Sequence, residues 1–288
     1  MTRSQPWEQL REKFADAVAA GFRKWIADDQ PHFGEQLAFA VGRVDEGRAL
    51  LEYLRERVIG GRRAVVLDVG CGNGGVAFAF ANDPNATVFG VDTVPNPQAL
   101  ECRRVLASPA SFVAADGARL PFRGDSIDVA LLVDVLEHLE RPREVAREIL
   151  RVLRPGGVCV VLTPARLAYA FRRDPHFGIR GLLLLPNAVQ RFIVDRILKR
   201  TPAYDVTHTY WHAREIVRLF AEASAVDVLY GHNVMPPPPV LRYWLRYPRA
   251  LAQWARYRAR RFFFGWMFVY KGEPPVAAGT FDRTFTRS

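Results

Sequence analysis

A chain of 288 residues, 49% of them hydrophobic, is long enough to bury a substantial core as one α/β domain with embellishments, or a domain plus a small one. The composition excludes general disorder, no run approaches the ~20 apolar residues of a spanning helix, and the N-terminal stretch Met1 to Phe14 lacks the apolar core of a signal peptide. The net charge of +10 comes almost wholly from arginine, with lysine only at Lys13, Lys24, Lys199 and Lys271, and leaves nucleic acid, an anionic membrane or an acidic substrate open as partners.

Taken in order, Trp7, Leu10, Phe14, Ala17, Val18, Phe22, Trp25 and Ile26 recur at helical period and predict a helix over 7–27. A loop is expected at Gln30-Pro31-His32-Phe33-Gly34. A second amphipathic helix follows from Val44 to Ile59, stopped by Gly60-Gly61. Residues 1–60 thus read as a helical cap, which either covers a binding site or merely closes one face of a sheet.

The chemistry begins at Ala64 to Gly75, A-V-V-L-D-V-G-C-G-N-G-G. Val65 to Leu67 suit a strand covered on both faces, Asp68 places a carboxylate at its end, and Gly70, Gly72 and Gly74 let a ligand approach backbone without Cβ interference. Gly75 to Ala81 then opens a helix. Gly70, Gly72 and Gly75 also satisfy the G-x-G-x-x-G dinucleotide spacing, so a nicotinamide-dependent oxidoreductase is an alternative. Asp68 weighs against it, because a carboxylate facing a pyrophosphate is costly, whereas a ligand with a sulfonium, an ammonium and a ribose diol welcomes acids. A-T-V-F-G-V-D is a second buried strand ending at Asp92, where a doubly wound fold presents a carboxylate to a ribose, followed by Thr93. Gln98 to Leu106 is a short helix and Ser111 to Ala115 a third strand leading into Asp116-Gly117. I-D-V-A-L-L-V is a fourth strand, with Asp134-Val135-Leu136-Glu137-His138-Leu139 opening the next helix. There Asp134 would sit one turn from His138 and orient it as a base. Glu144 to Leu153 is an amphipathic helix, Arg154-Pro155-Gly156-Gly157 its stop and turn, and Val158 to Leu162 a fifth strand.

Over residues 60 to 163 these motifs resemble the class I S-adenosylmethionine-dependent methyltransferases, in particular the branch acting on small molecules and lipids such as quinone precursors. The resemblance rests on the acid-x-Gly-x-Gly-x-Gly motif at Asp68, Gly70, Gly72 and Gly74, on Asp92, on Asp116 with Leu120-Pro121-Phe122, and on Leu153-Arg154-Pro155-Gly156-Gly157. It implies a doubly wound seven-stranded sheet of order 3-2-1-4-5-7-6 with the last strand antiparallel, and S-adenosyl-L-methionine as cofactor. It further implies that Asp68, Gly70, Cys71, Gly72, Gly74, Asp92, Thr93, Asp116, Gly117 and Asp134 hold that cofactor, with Asp68 on the ammonium side, Asp92 on the ribose and Asp116 on the adenine amino group. The expected reaction is methyl transfer, most readily to oxygen, on a small-molecule or lipid-like acceptor. No Pro-Pro-aromatic follows Val133 and no nucleophilic cysteine is near, which disfavours methylation of nucleic-acid bases. A member that binds the cofactor without catalysis, acting through a basic membrane- or RNA-binding surface, is a further alternative.

Two stretches exceed the minimal fold of a methyltransferase domain over 61–275. An insertion over 164–207 carries Arg166, Tyr169, Phe171 and His176 and reads as an acceptor cap, with His208 at the rim beyond it. His138, His176 and His208 are the candidate catalytic bases. No metal is expected: His208 and His212 have helical spacing but offer only two ligands. The three cysteines, Cys71, Cys102 and Cys159, read as reduced thiols of a cytosolic protein. A second insertion over 232–264 alternates Trp244, Leu251, Trp254 and Phe262 with seven arginines from Arg242 to Arg261. Its stretch 240–264 suits the headgroup level of an anionic bilayer, packing within the protein, or another anionic partner. Residues 276–288 read as a flexible tail.

Overall fold

The computed structural model describes residues 5–24, 31–94, 96–163, 166, 179–198, 210, 213–228 and 266–272. Helix α1, Trp7–Phe22, buries Leu10, Phe14, Ala17 and Val18 along one side, the spacing expected of it. The part of the first predicted helix beyond Lys24 lies outside the described residues. Helix α2 runs Pro31–Leu54 and ends in a π-turn, Arg55–Ile59, closed by Gly60 at φ 64°. The loop expected at 30–34 is therefore helical from Pro31 on. Proline loses nothing in a first turn, where its missing N–H has no intrahelical acceptor, and its fixed φ already suits the helix.

Strand β1, Ala64–Val69, leads to α3, Gly75–Ala81, every residue of which is buried. Then come β2, Ala86–Asp92, α4, Pro97–Leu106, β3, Ser111–Ala114, and β4, Ile127–Val133, buried throughout. Helix α5, Pro142–Val152, and strand β5, Leu153–Leu162, follow. After the first insertion come α6, Asn187–Arg191, which continues as a π-turn over Phe192–Ile197, then α7, Ala213–Leu219, β6, Ala225–Val228, and β7, Met267–Lys271. The seven strands stand in the order β3-β2-β1-β4-β5-β7-β6. All neighbours are parallel except the two pairs that β7 makes, as expected.

Apolar residues on both sheet faces make two cores. One joins α1, α2 and α3 through Phe14, Val44, Leu54, Phe78 and Phe80. The other joins α5 and α7 through Ile149, Leu150, Ile216 and Phe220. The first core brings α2 unusually close to α3. A Cβ on Gly47 would stand 2.8 Å from the Ala79 Cβ, and one on Gly75 2.7 Å from the Arg43 Cβ, so paired glycines set the helix–helix distance. Arg43 and Glu46 of α2 thereby hang over the carboxyl ends of the strands.

Three boundaries differ from expectation. Asp134 does not open a helix: it sits at φ 52°, a short 3-10 turn covers Leu136–His138, and α5 begins only at Pro142. The turn expected at Arg154 to Gly157 is an extrusion inside β5, where pairing jumps from Ile127↔Leu153 to Val129↔Val158 and Gly156 takes φ 77°. The helix that the sequence predicts over Ala213 to Ala223, α7, ends at Leu219. At the opposite end of the sheet from these carboxyl termini, Asp128 is 4% exposed and accepts from Arg62, from Arg154 at 2.5 Å and from the Val65 N–H at 2.7 Å.

Candidate functional site

The carboxyl ends of β1, β2 and β4 converge on the glycine turn. Gly70 and Cys71 donate their N–H groups to the Val91 carbonyl at 2.7 and 3.1 Å, and Gly74 donates to Cys71 at 2.8 Å, curling the turn against β2. Gly70, Gly72 and Gly74 take φ of 70°, 50° and 82°, a region costly for side chains. The three are not equivalent. A Cβ at Gly70 would meet Val135 at 2.5 Å and one at Gly74 would meet Phe78 at 2.7 Å, whereas at Gly72 it would meet nothing within 4 Å. The expectation that all three leave room for a ligand narrows to Gly72; the other two are glycine because side chains pack on them.

Three predicted acids, Asp68, Asp92 and Asp134, gather near this turn, and a fourth, Asp116, follows β3. Asp68, 3% exposed, accepts a hydrogen bond from the Ala77 N–H in the first turn of α3. Burial pushes its carboxyl up to about 7, the charge of Asp92 adding to the rise and Arg43 opposing it. Asp92 accepts from the Gly72 N–H at 3.1 Å and the Thr93 N–H at 2.8 Å, so one carboxylate ties the turn to the end of β2. Asp116 is exposed; it accepts from the Ala118 N–H at 2.8 Å and from Arg141 at 2.5 Å. Gly117 packs beside Val69 and Val145. Asp134 follows β4, its N–H donating to the Leu162 carbonyl at 2.8 Å. The Cys71 thiol is pushed up by burial and by Asp68 and Asp92, which makes it inert as a nucleophile.

Arg43 was not anticipated. Its guanidinium lies 2.5 Å from Glu46 and 2.8 Å from Asp134, over the Phe39 ring at 4.4 Å, and its Nε is buried without a hydrogen-bond partner. Burial raises the carboxyl groups of both Glu46 and Asp134, with Arg43 pulling the other way. Asp134 is thus held by Arg43 in place of the helical geometry expected to aim it at His138. His138 is half-buried on the 3-10 turn, within electrostatic reach of Asp134. Behind it Glu137, 4% exposed, accepts from the Thr163 hydroxyl at 2.8 Å, and burial carries its carboxyl to about 7, Asp134 adding to the rise. Asn73 and Asn96 join the two loops beyond β1 and β2 at 3.1 Å. The signal for α2 was present in the sequence: small residues at Ala40 and Gly47 on one helix face mark a close approach. What they bring Arg43 up against was not. His176, His208 and His212, with the stretch 232–264, lie outside the described residues, as does the 276–288 tail. Among the described residues no group of metal ligands is assembled, and no helix is long and apolar enough to cross a membrane.

A family model described as a methyltransferase domain matches residues 67–161, the span from β1 to β5 that builds this site. Residues 67–161 thus carry the pattern of a methyltransferase domain. The chain is 43% identical over 96 residues to an uncharacterized methyltransferase of Mycobacterium avium, covering 33% of this chain and 38% of that protein. To one from Mycolicibacterium gilvum it is 40% identical over 100 residues, 35% of this chain and 39% of that one. The chain therefore spans under two fifths of the length of these curated relatives. A solved structure, the YcgJ protein from Bacillus subtilis, aligns over 80% of this chain and 99% of its own, at 19% identity and a TM-score of 0.49.

S-adenosylmethionine is the cofactor of such a domain, and the residues around the glycine turn suit it on their own chemistry. The open backbone at Gly72 admits a close neighbour, Asp92 has lone pairs left for a diol, and buried acids beside Arg43 match a ligand carrying both cations and a carboxylate. The orphaned Arg43 Nε supplies an unspent donor for that carboxylate.

Proposed function

We propose that this protein transfers a methyl group from S-adenosylmethionine to an oxygen of a small-molecule or lipid-like acceptor. The observation that carries the reading is the arrangement around Gly72: open backbone flanked by Asp68, Asp92 and Asp134, with Arg43 leaning in from α2. The cofactor supplies an electrophilic methyl on a sulfonium. The chain's share is alignment: Asp92 fixes the ribose end, Asp116 the adenine, and Asp68 with Arg43 the amino-acid end. His138, half-buried beside Asp134, would take the acceptor's proton, with His176 and His208 the other candidates. The insertion over 164–207 would cap the acceptor, and the arginine- and tryptophan-rich stretch 240–264 would rest on an anionic membrane, making the protein cytoplasmic and membrane-peripheral.

Incubation with methyl-labelled S-adenosylmethionine and fractionated cell extracts tests the reaction. Label should enter the lipid or small-molecule fraction in a form released as an O-methyl group. Label confined to protein or nucleic acid would overturn the acceptor class, and bound donor with no transfer to any fraction would overturn catalysis.

A dependence on pH follows from Asp68. A ligand cation needs the carboxylate ionised, so donor affinity should rise by up to tenfold per pH unit from pH 5.5 and level off above about 7. Calorimetry in buffers of differing ionisation enthalpy should show protons released on binding near pH 6; Asp68→Asn should abolish both the release and the rise. Without ligand the sign reverses. The folded carboxyl holds its proton more tightly than the unfolded one, so its stabilising share is full below about 4 and lost as pH rises through about 7.

A further inference from the structure

Helix α6 with its π-turn is a continuous rod from Asn187 to Ile197 with two unlike sides. Gln190 and Val194, four residues apart, are 6% and 2% exposed and face the protein. Val189, Phe192 and Ile197 stand at 41%, 59% and 62% on the outer side, a spacing of three and five that the wider π-turn accommodates, with Leu185 beyond them at 37%. Single exposed apolar residues need no explanation, but large ones gathered on one side of a rod do. Arg191 and Arg196 are exposed beside them, and over 179–198 three arginines, Arg180 included, outnumber the single acid Asp195.

We propose that this outer side of α6 docks the protein on an anionic lipid bilayer, the apolar side chains entering the headgroup boundary and the arginines meeting lipid phosphates. The inference rests on the membrane-peripheral reading above and moves its anchor to a different element. Charge selects the occupant. A second copy of the chain would bring the same arginines to face these with a single acid, Asp195, per copy to offset them, and like charges placed across an interface are costly. Branched aliphatics beside guanidinium groups match a bilayer boundary, where arginine stems lie along acyl chains while their heads stay with phosphate.

The position of α6 gives the docking a use. Arg166, just past β5, donates at 2.5 Å to the Leu183 and Leu185 carbonyls that lead into α6, and Gln190 donates to Leu185 at 2.7 Å. The Arg166 N–H reaches Tyr210 at 2.8 Å, and the Tyr210 hydroxyl reaches the Leu136 carbonyl at 3.4 Å, beside Glu137. A run of hydrogen bonds thus ties the start of α6 to the end of the sheet that carries the glycine turn. A membrane met by α6 would therefore be tied through these bonds to the end of the sheet that holds the glycine turn.

Sedimentation of the full chain with phosphatidylcholine vesicles, with and without phosphatidylglycerol, tests this. Binding should require the anionic lipid. Arg191→Gln with Arg196→Gln should weaken it roughly 30-fold, from ~1 kcal/mol per arginine near such a surface. Phe192→Ser with Ile197→Ser should weaken it at least roughly tenfold, with donor binding retained as proof of folding. If the α6 variants bind as the parent does while replacing the arginines of 242–261 abolishes binding, the α6 inference is overturned and the membrane-peripheral reading stands. Failure of the parent chain to bind any vesicle overturns both. A concentration-dependent dimer that Phe192→Ser with Ile197→Ser dissolves assigns the face to a second copy and overturns the inference.

Discussion

Asp92→Ala should lower the affinity for S-adenosylmethionine at least ~100-fold while leaving the chain folded. The carboxylate has two tasks that alanine cannot share. Without ligand it accepts from the Gly72 and Thr93 N–H groups at 3.1 and 2.8 Å, which holds the turn beyond β1 against the end of β2. In the proposed reading its remaining lone pairs would take the ribose diol of the donor. Each hydrogen bond to a charged acceptor is worth about 1.5–3 kcal/mol, so losing two accounts for a factor of ~100 or more. Stability should change little, since Gly72 is half-buried and Thr93 exposed, so water can replace the carboxylate. Titration calorimetry with a thermal melt of the same sample checks both halves. Unchanged affinity would remove Asp92 from the ribose, and a collapse of the melt would make its role structural. Asp92→Asn, which keeps an acceptor oxygen, should fall between.

How far such a site can be read from the chain depends on the range of the forces that build it. Strands β1, β2 and β4 were legible almost to the residue because each is a run of β-branched and apolar residues bounded by glycine or an acid, and burial on both faces leaves no other use for such a run. The positions of the acids follow from the strands alone, and Asp68, Asp92 and Asp134 stand near Arg43 at the carboxyl ends of β1, β2 and β4. The errors lie where a distant partner overrides local preference. Asp134-Val135-Leu136-Glu137-His138-Leu139 reads as helix, yet Asp134 is drawn into a left-handed conformation with its N–H on Leu162 and its carboxylate on Arg43, both remote in sequence. Pro31 and Gly34 read as loop, but proline in a first turn is no obstacle, and the apolar run from Ala40 to Leu54 needs the same helix to reach α3. Arg43 could not be assigned from sequence because its neighbours are set where Gly47 packs on Ala79 and Gly75 packs on Arg43 across two helices, contacts that no period encodes.

At the other end of the same strands, Asp128→Ala should destabilise the fold by about 3 kcal/mol and leave the donor site intact. The Asp128 carboxylate is 4% exposed and joins three segments: Arg62 before β1, Arg154 at the start of β5 and the Val65 N–H within β1. Alanine would leave that N–H without its acceptor in the sheet and two cations without a counter-charge. The guanidinium groups, 38% and 36% exposed, can turn to water, which keeps the cost at the low end of the range for breaking a buried pair. For a domain of this size about 3 kcal/mol lowers Tm by roughly 6–12 °C. Asp128→Asn, which keeps the shape and an acceptor for Val65, should recover about half of that. Donor affinity well below the transition should match the parent chain, because the strands separate Asp128 from Asp68 and Asp92 by their full length. A Tm within ~2 °C of the parent would show that the arginines contribute nothing there. A loss of donor affinity at temperatures where the variant is fully folded would mean that strain at the start of the sheet reaches the glycine turn, contrary to the independence of the two ends argued from their separate hydrogen bonds.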